Sequence, residues 1–363
     1  MRSQMMAAAA VLGPLLAIST GLAQQDIPPA KVVGRETCKT CHESEHAAWM
    51  SSSHNTKAWR LLDEPKAVEF AKAMGVANVK GASLCTKCHG TQQEKGGQLT
   101  VAQGNSCESC HGGAGGDGGW LNHHFDYGLG RGADSKIADL LQDRTKETKE
   151  NQAKRDAACK LAGMNRSEDA FELAQNCLQC HLVPDEKLVA AGHPMSSRFE
   201  FVEWAQGEVR HNFLLNASVN AEVPTNWMDS HRNGPGRNAD SRKRLMFVAG
   251  QLADLTVSLR NRSIASSTKR GSLGGEANGR IVGIQRDLKK LKIAELAPVL
   301  AAIEKMSRRS LRAVKDNDQQ VYGDAAAAVA KAAKALVAKH RDGSQLPADV
   351  EIPDKAKGSP HKG

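Results

Sequence analysis

Eight of the nine cysteines in this 363-residue chain lie in four copies of one pattern, in which two residues separate a cysteine pair and a histidine follows at once. This spacing is the attachment signature of c-type haem: both thiols form thioethers with the porphyrin, and the histidine gives the iron one axial nitrogen. The pattern therefore predicts four covalently bound c-type haems. The predicted thioether residues are Cys38, Cys41, Cys85, Cys88, Cys107, Cys110, Cys177 and Cys180, and the predicted iron ligands beside them are His42, His89, His111 and His181.

Two other interpretations of the cysteines are weaker. The segment from Cys85 to Cys110 fits zinc-ribbon spacing, and eight cysteines in an exported chain could form four disulfides. Neither alternative explains why a histidine follows every pair. The ninth cysteine, Cys159, lies outside the pattern and is predicted to be a small buried thiol on a helix.

A six-coordinate haem iron needs a second axial ligand, so the other histidines are candidates. His46 lies four residues after His42 and shares its helical face, which places it poorly for the far side of the same ring. His340 and His361 lie in the basic C-terminal part and are expected to face solvent. Six candidates remain for four irons: His54, His123, His124, His193, His211 and His231.

From Val33 to Phe213 the chain resembles the tetrahaem cytochrome c-554 family of ammonia-oxidising bacteria. The resemblance rests on the order of the four motifs and on the segments CKTCHESEHAAWMSSSH, CTKCHGTQQEKGGQLTV, CESCHG and FEFVEWAQGEVRH. It implies a mainly α-helical, loop-rich multihaem domain wrapped around four haems that lie in closely packed pairs.

The resemblance also implies ligand assignments. In this family the histidine twelve positions after the first motif's histidine binds the third haem, and His54 occupies that position. A histidine shortly after the third motif binds the first haem, which corresponds to His123 or His124, and the family spacing favours His123. A histidine on a late helix binds the fourth haem and corresponds to His211. The second haem, beside His89, is typically five-coordinate.

The chain departs from the family pattern at three places. It has two adjacent histidines where the family has one. His193 lies in the tight AAGHP loop, where Gly192 and Pro194 fix its direction, so it is a candidate to cap the second haem or to displace His211 from the fourth. A basic extension of more than a hundred residues follows.

Several segments must position these groups. Residues 1–23 are typical of a secretory signal peptide, with an uncleaved membrane anchor as the alternative, and they predict a periplasmic protein. Residues 24–235 are predicted to form the tetrahaem domain, 236–345 a basic helical extension and 346–363 a flexible tail. The glycine run after the third motif lacks the ending of a phosphate loop and is expected to let the backbone pass close to a flat porphyrin.

The extension is predicted to form a helical hairpin or bundle, packed on the haem domain or on another chain. Apolar residues recur at three-to-four spacing in 244–260, 281–306 and 324–340, while 266–279 has the composition of a loop.

The formal net charge of +9 is unevenly distributed. Residues 241–363 contain 24 Lys and Arg against 12 Asp and Glu, whereas residues 1–240 contain 25 against 28. Each haem adds two propionates, so the predicted haem domain is acidic and the extension basic. This asymmetry favours docking to an acidic redox protein or an anionic membrane surface, although cations that only solvate helix faces would give the same count. No nucleic-acid-binding motif occurs.

Together these features predict a periplasmic tetrahaem cytochrome that carries single electrons between redox proteins, with nitrogen-compound respiration or oxidation as the expected setting. One alternative is a reductase or oxidase of nitric oxide, hydroxylamine or nitrite at a five-coordinate haem beside His89. Another is a haem subunit of a larger redox complex, docked or oligomerised through its helical tail. An electron carrier is favoured over a catalyst, because an iron with two histidine ligands has no position for a substrate.

Overall fold

The computed structural model describes residues 27–132, 134–166, 169–195, 199–206, 239–310, 314–315, 317–341, 343–353 and 357. Most of these residues are helical, which confirms the mainly α, loop-rich fold. Among the described residues, twelve short α-helices precede residue 207: α1 (Arg35–Lys39), α2 (Glu43–Ser51), α3 (Ser53–Thr56), α4 (Pro65–Ala73), α5 (Ser83–His89), α6 (Cys107–His111), α7 (Trp120–His124), α8 (Ile137–Lys146), α9 (Lys149–Leu161), α10 (Ala170–His181), α11 (Glu186–Ala190) and α12 (Phe201–Gln206). From residue 239 on, the described part of the chain contains four longer helices: α13 (Ala239–Ile264), α14 (Leu273–Lys290), α15 (Ala297–Ser310) and α16 (Asp318–Lys339).

One antiparallel hairpin joins the second motif to the third. Strand β1 (Gly90–Lys95) pairs with β2 (Gln98–Gln103), with Lys95 opposite Gln98. The two loop residues, Gly96 and Gly97, have φ values of +57° and +75°. Such a two-residue turn requires positive φ at both positions, which glycine adopts without strain.

The main hydrophobic core lies in the second half of the chain. Helix α13 packs against α10, α12, α14 and α16, and the buried cluster includes Phe171, Leu178, Leu252, Leu259 and Tyr322. This core joins residues on both sides of position 235, which itself lies outside the described residues, and it also contains Leu346 and Val350.

The first half of the chain has a much smaller hydrophobic core. Among described residues 27–166, the buried hydrophobic cluster consists of Ala114, Trp120 and Cys159. Short helices with so little apolar burial cannot offset the entropy of ordering the chain without another source of buried surface. A flat apolar cofactor would supply that surface.

A buried ion pair lies inside the C-terminal helices. Arg262 is fully buried on α13, where its Nη2 donates to Asp318 Oδ2 over 2.7 Å and its guanidinium lies 4.6 Å from the Tyr322 ring centre. The side-chain amide of the preceding residue, Asn261, donates to the Leu182 carbonyl over 2.7 Å. The extension is thereby joined to the residue that directly follows the fourth motif.

Three expectations for the extension were wrong. The loop predicted at 266–279 becomes helical at Leu273, because the Ser272 hydroxyl accepts the Gly275 amide and caps α14. The single helix predicted for 281–306 is interrupted after Lys290, where Lys292 has a φ of +53°. His340 is buried rather than solvent-facing, and its Nε2 lies 3.2 Å from Glu295 Oε1.

Candidate functional site

Each motif lies on about one helical turn. The second and third motifs lie within α5 and α6, and the fourth ends α10. The first runs from α1 into the next turn, where the His42 amide donates to the Cys38 carbonyl over 2.9 Å. Residues three and four positions apart share a helix face, so both thiols and the histidine of a motif point to the same side.

The motif thiols form no covalent bond with one another in the described structure, where all nine cysteines are free of disulfides. Among the described residues, no group of three or more His, Cys, Asp or Glu side chains could hold a metal ion. The thiol pairs are thus available for thioether bonds.

Contacts join the first motif to the third, the third to the fourth, and the fourth to the second. The Cys38 thiol hydrogen-bonds the Cys107 thiol, which raises the pKa of Cys38. Helix α10 packs on α6, joining the third motif to the fourth. The Cys180 thiol hydrogen-bonds the Cys88 thiol, which raises the pKa of Cys180 and joins the fourth motif to the second.

Asparagine side chains tie successive motifs together. The Asn105 amide donates to the Cys88 carbonyl over 2.7 Å, and the Asn176 amide donates to the Cys110 carbonyl over 2.9 Å. Each asparagine stands one or two positions before the next motif and satisfies a carbonyl at the end of a motif helix. Neither asparagine was among the predicted site residues; the signal in the sequence was an asparagine just ahead of a motif.

Glu108, between the two cysteines of the third motif, is a buried carboxylate. Its Oε1 accepts the amides of Val33 (3.0 Å) and Ala114 (2.9 Å), and its Oε2 accepts the Gly34 amide over 2.7 Å. Three backbone donors compensate a charge that would otherwise be costly to bury. The hydrogen bonds from Val33 and Gly34 hold the segment before the first motif against the third motif.

His42 of the first motif faces His124. Their ring centres are 6.1 Å apart. His123, the adjacent residue, is exposed to solvent. Family spacing favours His123, whereas in the described structure α7 turns His124 inward against Trp120, whose ring centre is 5.8 Å away.

His89 of the second motif faces His193, with ring centres 6.2 Å apart. The Nδ1 of His89 lies 2.9 Å from the Ala58 carbonyl, and the Nδ1 of His193 lies 3.1 Å from the Pro194 carbonyl. These contacts favour a proton on each Nδ1 and leave each Nε2 free as a ligand. Of the two roles considered for His193, the structure brings it to the second motif.

His181 of the fourth motif faces His54, and their ring centres are 6.2 Å apart. The resemblance assigns His54 to the third haem, whereas the described structure brings its ring to His181 of the fourth motif. The His54 backbone also lies beside the segment before the third motif, because its carbonyl accepts the Asn105 amide over 3.0 Å.

The spacing of these three pairs fits an iron between two imidazoles. Metal–nitrogen bonds of about 2 Å, plus about 1 Å from each nitrogen to its ring centre, put two axial imidazoles about 6 Å apart. Rings in direct stacking contact would be closer, as His181 and Phe199 are at 4.6 Å. The residues present therefore fit haem iron at three of the four motifs.

The third motif has a different set of described neighbours. The Nδ1 of His111 lies 2.8 Å from the Asn165 carbonyl, which again leaves Nε2 available. His211, which the resemblance assigns to the fourth haem, and His231 lie outside the described residues, so both stay predictions.

Burial keeps the facing imidazoles neutral, the form that binds metal. Burial first, then the nearby His42 and Arg155, lower the pKa of His124 to about 3. Burial and the neighbouring His54 lower the pKa of His181 to about 4. The Nδ1 atoms of His54 and His124 are buried without a hydrogen-bond partner among the described residues.

Two glycines are required by close backbone approaches. Gly104 has a φ of +76°, and a Cβ there would lie 2.7 Å from the His54 carbonyl oxygen. Gly112, directly after the third motif, has a φ of +87°, and a Cβ would lie 2.3 Å from the Gly163 carbonyl oxygen. Gly112 begins the glycine run, so the described neighbour at the start of that run is another segment of this chain.

Two other predicted placements have clear outcomes. Cys159 is fully buried on α9, as predicted, with its thiol 3.8 Å from the Trp120 carbonyl. His46 is buried beside Trp49, with ring centres 5.6 Å apart.

Thiol pairs followed by histidine, with a second histidine facing the motif histidine at three of the four motifs, match the ligand set of a c-type cytochrome. The family model described as cytochrome c554 and c-prime matches residues 37–112, which contain the first three motifs. This match supports the resemblance to the cytochrome c554 family, and with it covalently bound c-type haem and a role in electron transfer. No curated protein and no solved structure matched the chain. No helix among the described residues is long and apolar enough to cross a membrane.

Proposed function

We propose that this chain is a periplasmic tetrahaem c-type cytochrome that carries single electrons between redox proteins. The observation that supports it most is the pairing of His89 with His193 at 6.2 Å. This pair would fill both axial positions at the second motif, the one typically left open in the resembling family. Bound haem supplies one-electron chemistry at its iron.

The arrangement of the attachment sites supports transfer along a single path. Contacts between neighbouring motifs, including the Cys38–Cys107 and Cys88–Cys180 pairs, give an order in which the first and second motifs are at the two ends. The third and fourth motifs lie between them. A linear order suits a carrier that accepts an electron at one end and releases it at the other.

The chain's own residues would hold the irons rigidly. Backbone carbonyls of Ala58, Asn165 and Pro194 orient three imidazoles through Nδ1. Ligands that are held in place move little when the iron changes its oxidation state, and this favours rapid electron exchange.

The enzymatic alternative needs an open iron. At the first, second and fourth motifs a second histidine faces the motif histidine. We therefore propose a carrier rather than a reductase or oxidase of nitric oxide, hydroxylamine or nitrite. A setting in nitrogen metabolism, the periplasmic location and cleavage of residues 1–23 are proposals from the sequence.

The test is ligand binding by the purified holoprotein. We expect the ferric spectrum to be low-spin and unchanged by cyanide, and the ferrous spectrum to be unchanged by nitric oxide. His193→Ala should create one high-spin, cyanide-binding iron, while His123→Ala, which changes an exposed histidine, should leave the spectrum unaltered. A wild-type protein that binds cyanide or nitric oxide at one iron would overturn the carrier proposal.

A further inference from the structure

The ring of His181, the iron ligand of the fourth motif, is held differently from those of the second and third motifs. His89 and His111 each have Nδ1 within 2.9 Å of a backbone carbonyl oxygen. Among the described residues, no hydrogen bond uses the His181 ring. Within this part of the chain, the orientation of the His181 ring therefore comes from packing, because a ring without a hydrogen bond can turn about its Cβ–Cγ bond.

Phe199, which precedes α12, packs directly on the face of the His181 ring. The two ring centres are 4.6 Å apart and the ring planes differ by 26°, so the rings are stacked. Phe199 is also stacked with Trp204, with an interplanar angle of 10°. The plane of His181 lies at 80° to that of His54, the histidine that faces it. Removal of the Phe199 ring would therefore free the angle between the two imidazoles.

Phe199 is itself held in place by the extension. It is buried and belongs to the main hydrophobic core. Its carbonyl accepts a hydrogen bond from Arg280 Nη2 on α14 over 3.4 Å, and Arg280 Nε donates to Asp254 Oδ1 on α13 over 2.8 Å. Two residues further on, Phe201 lies so close to α13 that a Cβ at Gly250 would be 2.8 Å from the Phe201 Cβ. An aromatic ring that is held in this way can fix the imidazole packed on it.

The second motif offers a comparison, because a phenylalanine also lies beside a facing histidine there. The Phe70 ring centre is 5.3 Å from that of His193, and the ring planes differ by 54°. The Nδ1 of His193 also lies 3.1 Å from the Pro194 carbonyl oxygen. This ring is therefore held by a hydrogen bond, and its orientation does not depend on Phe70 alone.

We infer that Phe199 is a positioning residue of the fourth haem, which sets the plane of the His181 ring relative to His54 and excludes water from this ligand. This inference rests on the proposed function. The angle between two axial imidazoles influences the magnetic anisotropy of low-spin ferric iron, and apolar surroundings influence its reduction potential. Through Phe199, the C-terminal extension would tune one of the four haems.

The experiment compares Phe199→Leu, which removes the ring but keeps an apolar side chain, with Phe199→Tyr, which keeps the ring. Electron paramagnetic resonance of the ferric holoprotein and a spectroscopic redox titration are recorded for both. In Phe199→Leu we expect one low-spin signal to shift and broaden, and the potential of one haem to fall, because water stabilises the ferric charge. The signal that shifts should be the one that His54→Ala converts to a high-spin signal.

Phe199→Tyr should retain the wild-type signal, because the stacked ring is still present. Phe70→Leu is the matched control at the second motif and should leave all low-spin signals in place, since a hydrogen bond holds His193.

An unchanged ferric spectrum in fully haem-loaded Phe199→Leu would overturn the inference. A shift in Phe199→Tyr as large as that in Phe199→Leu would also overturn it, since the stacked ring would then not be the cause. A wild-type protein without haem on Cys177 and Cys180, measured by peptide mass spectrometry, would instead refute the proposed tetrahaem function.

Discussion

At the scale of single residues, either His123 or His124 is expected to be the second iron ligand at the first motif. His124 faces His42, whereas His123 points to solvent. We expect His124→Ala to give a high-spin ferric signal by electron paramagnetic resonance and a cyanide-binding iron. His123→Ala is the matched control, and a high-spin signal in that variant alone would reverse the assignment.

A single carboxyl group, that of Glu200, is expected to make the stability of the folded protein depend on pH. Burial raises its pKa from 4.5 to about 7, and its Oε1 is buried without a partner among the described residues. The folded state then binds more protons than the unfolded state between these values, so this group lowers stability as pH rises from about 4.5 to about 7. Glu200→Gln should raise the urea midpoint relative to wild type at pH 8 and much less at pH 4.5. Glu69→Gln, at an exposed carboxyl, should show no such difference, and an equal effect at both pH values would contradict the account.

The cofactor residues were predictable at this scale, whereas their pairing was not. A cysteine pair followed by histidine specifies its own chemistry locally, since all three groups lie on one helical turn. His123 and His124 have the same local context and differ only by about 100° around a helix. Contacts with Trp120 and His42, which are distant in sequence from each other, decide which of them turns inward.

At the scale of elements, α13 depends on its buried ion pair. Asp318 is 2% exposed and neutralises Arg262, which is fully buried. Asp318→Asn would leave a buried guanidinium uncompensated and should lower the free energy of unfolding by about 3–5 kcal/mol. Asp287→Asn breaks an exposed pair and should change it by less than about 0.5 kcal/mol. Chemical denaturation measures both, and similar losses for the two variants would show that burial of the pair is not the cause.

The ends of the helices in the extension were harder to predict from the sequence than the helices themselves. The long helices of the extension were predictable from apolar spacing, yet α14 starts inside a segment whose glycines indicated a loop. Gly274 and Gly275 lie so close to the backbone at Ser267 and Lys269 that a Cβ would lie 2.2 Å and 2.1 Å from carbonyl oxygens there. Packing therefore required glycine within a helix, which a propensity-based prediction cannot anticipate.

At the scale of the whole molecule, the fourth motif depends on the extension. Helix α10 buries Phe171 and Leu178 against α13 and its neighbours, and Asn261 holds the Leu182 carbonyl. A chain that ends at residue 240 would expose this apolar face. We expect it to be degraded or to contain fewer than four haems, whereas removal of residues 358–363 should have no effect. A stable truncated protein with four haems, measured by pyridine haemochrome absorbance, would show that the two parts fold independently.

The spatial order of the motifs also belongs to the whole molecule. The chain order is first to fourth, but the contacts place the fourth motif between the third and the second. Local spacing contains no information about this order, because it follows from the packing of α10 on α6. His54 was for that reason predicted as a ligand of the third haem, although its ring faces His181 of the fourth motif.

We propose that all four motifs attach haem through their eight cysteines. Intact-mass spectrometry of the exported protein, combined with alkylation of free thiols under denaturing conditions, measures this directly. We predict the mass of the mature chain plus four haems and one alkylated thiol, that of Cys159. A mass with fewer haems, or alkylation of motif cysteines, would contradict the account.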